Sequence, residues 1–456
     1  MERAPARPCR GEEHDMPAMT RLADDRGGSR RAALALAGGT AMAVALTTSG
    51  LAQSAPVEIT MWSWVPNLQE QIDLFEERNP DIDVNLVNAG QGAAQYMELR
   101  NAIRAGRGAP DVVQIALDTQ PTFQITGALL DIGLLGANEV ADDFVEWAWA
   151  QVSAGGAVYG IPWDSGPMGI IYRGDIFDEV GIAEPATWDE FRAAAETLRA
   201  ERPDAYITTA AFSAGAWTIA LFWQAGARPF EMIDETTIRI TMNSPEARQV
   251  ADYWTGLIAD DLVDTSAIFN TDWYSSLDRG RIASWITAAW GPSLLSQFTS
   301  DSMGSWRAMP LPQWDAAAPA ASNWGGSTIA VMGSTEHPEA AARLALFLGA
   351  DTDAAQMFIE RQGLFPVLKE RLASDSFLDA TMEFYGGVSY NQVFASASEL
   401  IDTSFEWSPF NDHVYQVLSS ELSAAAANGG DLSEALDRVQ EELVTYARAQ
   451  GFTVVE

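Results

Sequence analysis

The strongest constraint on the fold is an alternation of strand and helix patterns that begins at Val57. The stretch Val57-Glu58-Ile59-Thr60-Met61-Trp62 reads as a strand. A helix is expected over residues 69–79, with Ile72, Leu74 and Phe75 on one side and Pro80 as its stop. Ile82-Asp83-Val84-Asn85-Leu86-Val87 alternates with period two and reads as a second strand. A helix over 95–105 and a strand over Asp111-Val112-Val113-Gln114-Ile115 follow. This order implies an α/β chain with a parallel sheet and helices on its faces. Ligands of such sheets sit beyond the carboxyl ends of the strands. That edge carries Ser63, Trp64, Val65 and Pro66 after the first strand and Leu117-Asp118-Thr119 after the third. Later, Thr187 is placed to cap a helix with Glu190 closing a capping box. A long helix over 432–449 is expected, capped by Asp431 or Ser433.

The N-terminus reads as an address rather than as part of the fold. Ser29-Arg30-Arg31-Ala32-Ala33-Leu34 is a twin-arginine pattern, followed by an Ala/Gly-rich run over 32–46. That run is short of the ~20 residues a spanning helix needs. Gly50 and Ala52 offer small residues at the −3 and −1 positions of a cleavage site. Residues 1–52 are therefore expected to be a removed export signal, with Met16 or Met19 as alternative starts and a membrane anchor or the general secretory route as alternative readings. The rest is expected to work outside the cytoplasm, in the periplasm.

With 456 residues the chain can hold two globular domains. Its 63 Asp and Glu against 27 Lys and Arg give a net charge of −36. Such a surface repels nucleic acid and anionic lipid. The single cysteine, Cys9, lies in the N-terminal extension, so no disulfide framework or thiol nucleophile is available in the remainder.

Catalytic signatures are sparse. Trp163-Asp164-Ser165-Gly166-Pro167 contains the Asp-Ser-Gly core of a protease nucleophile but lacks its flanking glycines. His337 and His413 fall in no metal-binding spacing. There is no GxSxG elbow, no GxxxxGK loop and no GxGxxG after a strand. Carboxylates are abundant, so a glycosidase pair stays open as an alternative.

Tryptophan is the unusual residue. Of 16, several stand at turns or strand ends: Trp62, Trp64, Trp163, Trp290, Trp324 and Trp407. An indole offers a rigid apolar face with one donor at its edge, which suits the C–H faces and hydroxyl rims of sugar rings. Trp147, Trp149, Trp188, Trp254 and Trp285 fall inside helix- or strand-like stretches and are expected to be core.

Over nearly the whole span from Val57 to Phe452 the chain resembles the family 1 extracellular solute-binding proteins of ABC importers, the group that includes maltose-binding proteins. Phe75-Glu76-Glu77-Arg78-Asn79-Pro80 is similar to that family's first helix end, and Gly108-Ala109-Pro110-Asp111-Val112-Val113 to its approach to the third strand. Tyr159-Gly160-Ile161-Pro162, then Ile171-Tyr172-Arg173-Gly174-Asp175-Ile176-Phe177, then Pro185-Ala186-Thr187-Trp188-Asp189-Glu190-Phe191 carry the most specific likeness. Gly280-Arg281-Ile282-Ala283 ending in Trp290, Pro338-Glu339-Ala340-Ala341 and Leu432-Ser433-Glu434-Ala435-Leu436 match later segments.

The resemblance implies a two-lobed periplasmic-binding-protein fold with a hinge. One lobe would take residues 53–164 and 327–380, the other 165–326 and 381–456. It implies capture of a neutral sugar or polyol glycoside by lobe closure and docking on a membrane permease, as a monomer, with no cofactor, metal or catalysis. Trp163 and Asp164 would face ligand where the chain first crosses between lobes, with Ser165 in the crossing. Trp290, Trp324, Gly325, Gly326 and Asp118 would contact solute, with Trp64, Arg361 and Trp407 as further candidates. A phosphorylated polyol such as glycerol 3-phosphate is an alternative ligand, and a secreted carbohydrate-active hydrolase an alternative activity.

Overall fold

The computed structural model describes residues 55–456; the expected export signal lies outside the described residues. The strand Val57–Trp62 sits inside the first sheet, parallel to Ile82–Val87 on one side and Val112–Ala116 on the other. These are the expected strands, the third displaced by one residue. Helix Gln69–Arg78 buries Gln71, Ile72 and Phe75, and Leu74 is only half-buried. The turn before Pro80 ends it, with Asn79 Nδ2 donating to the Phe75 carbonyl at 2.8 Å.

The expectation of a parallel sheet holds for the first three strands and fails for one, which runs against all the others. Ser327–Val331 lies antiparallel to both Val112–Ala116 and Ile161–Asp164, which completes a five-stranded sheet. This strand returns from a distant part of the chain and not through a strand–helix–strand crossover, so nothing forces it parallel.

A second sheet has Met168–Arg173 at its centre, flanked antiparallel by Ser284–Ala288 and Trp306–Pro310. Every residue of Ser284–Ala288 is buried, as expected of a strand covered on both faces. Helices Trp188–Glu201, Gly215–Gln224 and Pro245–Ala259 follow the central strand in the chain. Thr187 caps the first of them, its side chain accepting from Glu190 N, while Glu190 Oε2 accepts from Ala186 N at 2.7 Å. Helix Leu432–Ala449 is capped by Asp431, which accepts from Ser433 N at 2.7 Å and Glu434 N at 3.2 Å. It packs on helices Pro245–Ala259 and Asn411–Ala427. No helix among the described residues is long and apolar enough to cross a membrane.

The chain leaves the first sheet after Asp164, enters the second at Met168, and returns to the first at Ser327. The outgoing and returning segments run side by side. Met168 N donates to Ser322 O at 2.9 Å, Trp324 N to Gly166 O at 2.8 Å, and Gly166 N to Asn323 Oδ1 at 2.8 Å. A third segment joins them, with Ser165 N donating to Phe365 O at 3.0 Å. Gly166 has to be glycine, because a Cβ there would stand 2.1 Å from the Trp324 carbonyl oxygen.

Candidate functional site

Trp290 follows strand Ser284–Ala288, and Trp324 ends the returning segment. Their rings meet nearly at right angles, 4.7 Å apart at 74°. Trp290 Nε1 donates to the Trp324 carbonyl at 2.8 Å, which fixes the half-buried indole against the crossing. Trp285 supports Trp290 edge-on from below at 5.7 Å. Gly325 and Gly326 both take left-handed backbone, at φ +87° and +86°. A Cβ on Gly325 would reach Trp290 Nε1 at 3.2 Å, and one on Gly326 would press on Asp164 O at 2.7 Å. Four residues expected from sequence thus come together at the sheet crossing.

Beneath them runs a buried chain of polar groups. Ser63 Oγ donates to Gln114 Oε1 at 2.7 Å, Gln114 Nε2 to Ser327 Oγ at 3.1 Å, and Ser327 Oγ to Asp164 Oδ1. All four side chains are buried. Trp64 N also donates to Gln114 Oε1, at 3.2 Å, so the same relay fixes the turn after the first strand. Trp64 itself is half-buried, edge-on to Tyr96 at 6.2 Å. Burial raises the Asp164 carboxyl to about 6, against the hydrogen bond from Ser327, which lowers it.

Asp118 is buried at the end of the third strand, one residue after Leu117, whose N donates to Gly326 O at 3.0 Å. Its carboxylate accepts from Tyr415 Oη at 2.7 Å and Thr119 Oγ1 at 3.0 Å. Desolvation is the larger effect and raises its pKa. Beside it Arg100 pairs with Asp412. Both contacts join the first sheet's elements to helix Asn411–Ala427.

Three expected site residues lie elsewhere. Trp163 is buried and stacked on Phe358 at 4.6 Å and 16°. The register slips opposite it, between Ser327 and Thr328, and the indole turns into the helix Thr352–Gln362 instead of a cleft. Trp407 is core as well, edge-on to Phe405 at 5.0 Å and to Trp223 at 5.9 Å. Arg361 points to solvent in an ion pair with Glu70 at 3.1 Å, a surface pair of little energetic weight. Ser165 is buried, its hydroxyl donating to the Pro366 carbonyl at 3.4 Å, which gives it a structural role in the crossing.

Sequence reasoning missed Phe269 and Tyr415. Phe269 sits 6.3 Å from Trp290 and 6.2 Å from Trp324, ring to ring. It belongs to no periodic pattern, so only the folded loop brings it there. Tyr415 reads as an ordinary aromatic of an amphipathic helix, and nothing local points to Asp118. A surface groove of about 580 Å³ opens elsewhere, between helices Asn411–Ala427 and Leu432–Ala449, lined by His413, Glu421, Arg438, Glu441 and Glu442. Within it Arg438 pairs with Glu421 at 2.7 Å, and His413 lies flat on Tyr446 at 3.7 Å. We place the candidate site at the tryptophan pair, where apolar faces and polar groups converge.

Residues 62–355 match the family described as bacterial extracellular solute-binding protein. The chain belongs to that family. A binding protein associated with an ABC transporter of B. animalis subsp. lactis, solved in complex with β-1,6-galactobiose, is 31% identical with a TM-score of 0.76, over 88% of this chain and 100% of that one. The galacto-N-biose-/lacto-N-biose I-binding protein of Bifidobacterium longum shares the fold at 23% identity and TM-score 0.77, covering 88% and 99%. Among curated relatives, the lactose-binding protein of Rhizobium radiobacter is 24% identical over 78% of this chain and 86% of its own. Like those solved structures, this member of the solute-binding family has the two-lobed α/β architecture.

Proposed function

We propose that this solute-binding protein captures a neutral sugar or sugar glycoside between its lobes and delivers it to the permease of an ABC importer, without catalysis and as a monomer. One observation carries the reading: the right-angled Trp290–Trp324 pair, hydrogen-bonded at the crossing beside the left-handed Gly325-Gly326 turn. An indole face anchored in this way is a preorganised platform for a sugar ring, and preorganisation lowers the cost of binding. The sugar-binding relatives add support. The change of sheet after Asp164 and back at Ser327 supports lobes of 53–164 with 327–380 and 165–326 with 381–456.

Calorimetry with lactose, β-1,6-galactobiose, lacto-N-biose and maltose, followed by chromatography of the recovered sugar, tests the reading. Saturable binding with the sugar intact is expected; a cleaved product would favour the hydrolase, and no binding to any would remove the sugar. For export, we propose a twin-arginine signal over residues 1–52. Arg30→Lys with Arg31→Lys should leave unprocessed protein in the cytoplasm, as fractionation and immunoblotting would show. Normal accumulation outside would favour the general secretory route.

A further inference from the structure

On the proposed boundaries both lobes are strongly acidic. The first, 53–164 with 327–380, holds 24 Asp and Glu against 8 Lys and Arg, a net charge of −16. The second, 165–326 with 381–456, holds 33 against 12, a net charge of −21. The arginines answer carboxylates of their own lobe. Arg78 pairs with Asp351 and Arg343 with Asp81 in the first, and Arg228 with Asp402 and Arg248 with Asp437 in the second. Among the described residues one Arg–carboxylate pair, Arg100 with Asp412, spans the proposed boundary. Its side chains are 30% and 46% exposed, so water and salt screen it.

Two bodies of like charge oppose being brought together, so a hinge between these lobes closes against their repulsion. At about 0.01 M salt the screening length is ~30 Å, wider than the ~15 Å radius of gyration of a lobe this size; at about 1 M it is ~3 Å. Whole lobes therefore repel in dilute buffer, and only touching groups do so in concentrated salt. We infer that ionic strength gates solute capture in this chain: salt screens the repulsion between the two acidic lobes, promotes closure and so tightens solute binding. The inference rests on the closure reading above and adds a regulation to it. Salt also weakens the Arg100–Asp412 pair, which acts in the opposite sense, but one exposed pair is outweighed by charges of −16 and −21. The proposed solute is neutral, so salt has no charge on it to screen, and a dependence on salt reports the charges of the protein.

The test is calorimetry of the parent with lactose, β-1,6-galactobiose, lacto-N-biose and maltose from about 0.01 M to about 1 M NaCl. Small-angle scattering of the unliganded protein and thermal denaturation accompany it in the same buffers. The Kd should fall about tenfold across the series, an order-of-magnitude figure for like charges of this size approaching by a few ångströms through water. The unliganded radius of gyration should shrink in parallel. A second protein carries Glu58→Gln, Asp83→Asn, Glu98→Gln, Glu139→Gln and Asp142→Asn, at five exposed carboxylates of the first lobe. It should bind about twofold more tightly than the parent at low salt and equally at high salt. A Kd that stays flat or rises with salt would overturn the inference. So would parallel curves for the two proteins, which would assign the salt effect to apolar hydration. Failure of the parent to bind any of these sugars would remove the sugar reading alone. The scattering series would then decide the inference, an unchanged radius overturning it and a shrinking one supporting it.

Discussion

Trp290 offers a face and also ties down the chain, since its Nε1 donates to the carbonyl of Trp324. Removing the side chain should therefore weaken binding more than removing the donor. Trp290→Ala is expected to raise Kd by about 30-fold, the weight of a hot-spot aromatic, and Trp290→Phe by less. Trp188→Ala is the contrast. Trp188 is buried among Phe191, Tyr253, Trp254 and Trp314, so it should lose about 3–5 kcal/mol of stability with the site intact. Calorimetry beside thermal denaturation separates the two; equal binding by Trp290→Ala and parent would move the site. Asp164 makes a second prediction. Its folded-state pKa of about 6 lies above the ordinary 3.8, so the folded protein holds this proton more tightly than the unfolded chain. That contribution is complete below the unfolded pKa and is lost as the pH rises through about 6, for a total of about 3 kcal/mol. Asp164→Asn should flatten part of the fall in melting temperature between about pH 4 and about pH 7. Asp118, raised in the same direction by desolvation, still contributes in that variant. An unchanged slope would mean that Asp164 ionises freely.

At the scale of elements, the two crossing segments depend on glycine. Gly326→Ala would place a Cβ 2.7 Å from Asp164 O at φ +86°, so both stability and binding should fall. Gly106, the left-handed cap of helix Ala93–Ala105, has nothing within 4 Å. Gly106→Ala should cost only the backbone term, about 1 kcal/mol, and leave binding as it was; equal losses in the two variants would deny the crossing its special role. What the sequence made legible follows the same division between local and distant. The first three strands and the Thr187 and Asp431 caps were readable because period and capping act within a few residues. The strand Ser327–Val331 was not seen as an antiparallel member of the first sheet, since its partners lie far away in the chain. Trp290, Trp324, Gly325 and Gly326 gather at the sheet crossing. Trp163 and Trp407 do not, because a tryptophan beside a proline or turn carries no mark of which way its indole will face. Phe269 went unread for the same reason, since the sign of φ at a bulky loop residue is set by packing.

For the whole molecule, the account is one of two α/β halves closing on a sugar about a hinge where the chain changes sheets. The hydrogen bond from Tyr415 to Asp118 and the Arg100–Asp412 pair join the first sheet's elements to a helix of the proposed second lobe. On the proposed lobe boundaries, both contacts would hold one lobe against the other. A few crossing residues can absorb the rotation between open and closed forms. A ligand that contacts both lobes shifts the population toward closure by its differential affinity for that state. Arg100→Ala with Tyr415→Phe should then open the unliganded molecule while leaving it folded. Small-angle X-ray scattering of the parent protein, with and without a saturating disaccharide identified by calorimetry, tests the central claim most directly. The account predicts a smaller radius of gyration with sugar bound and a larger one for the unliganded double variant. An identical radius for the parent in both states, at proven saturation, would contradict capture by closure.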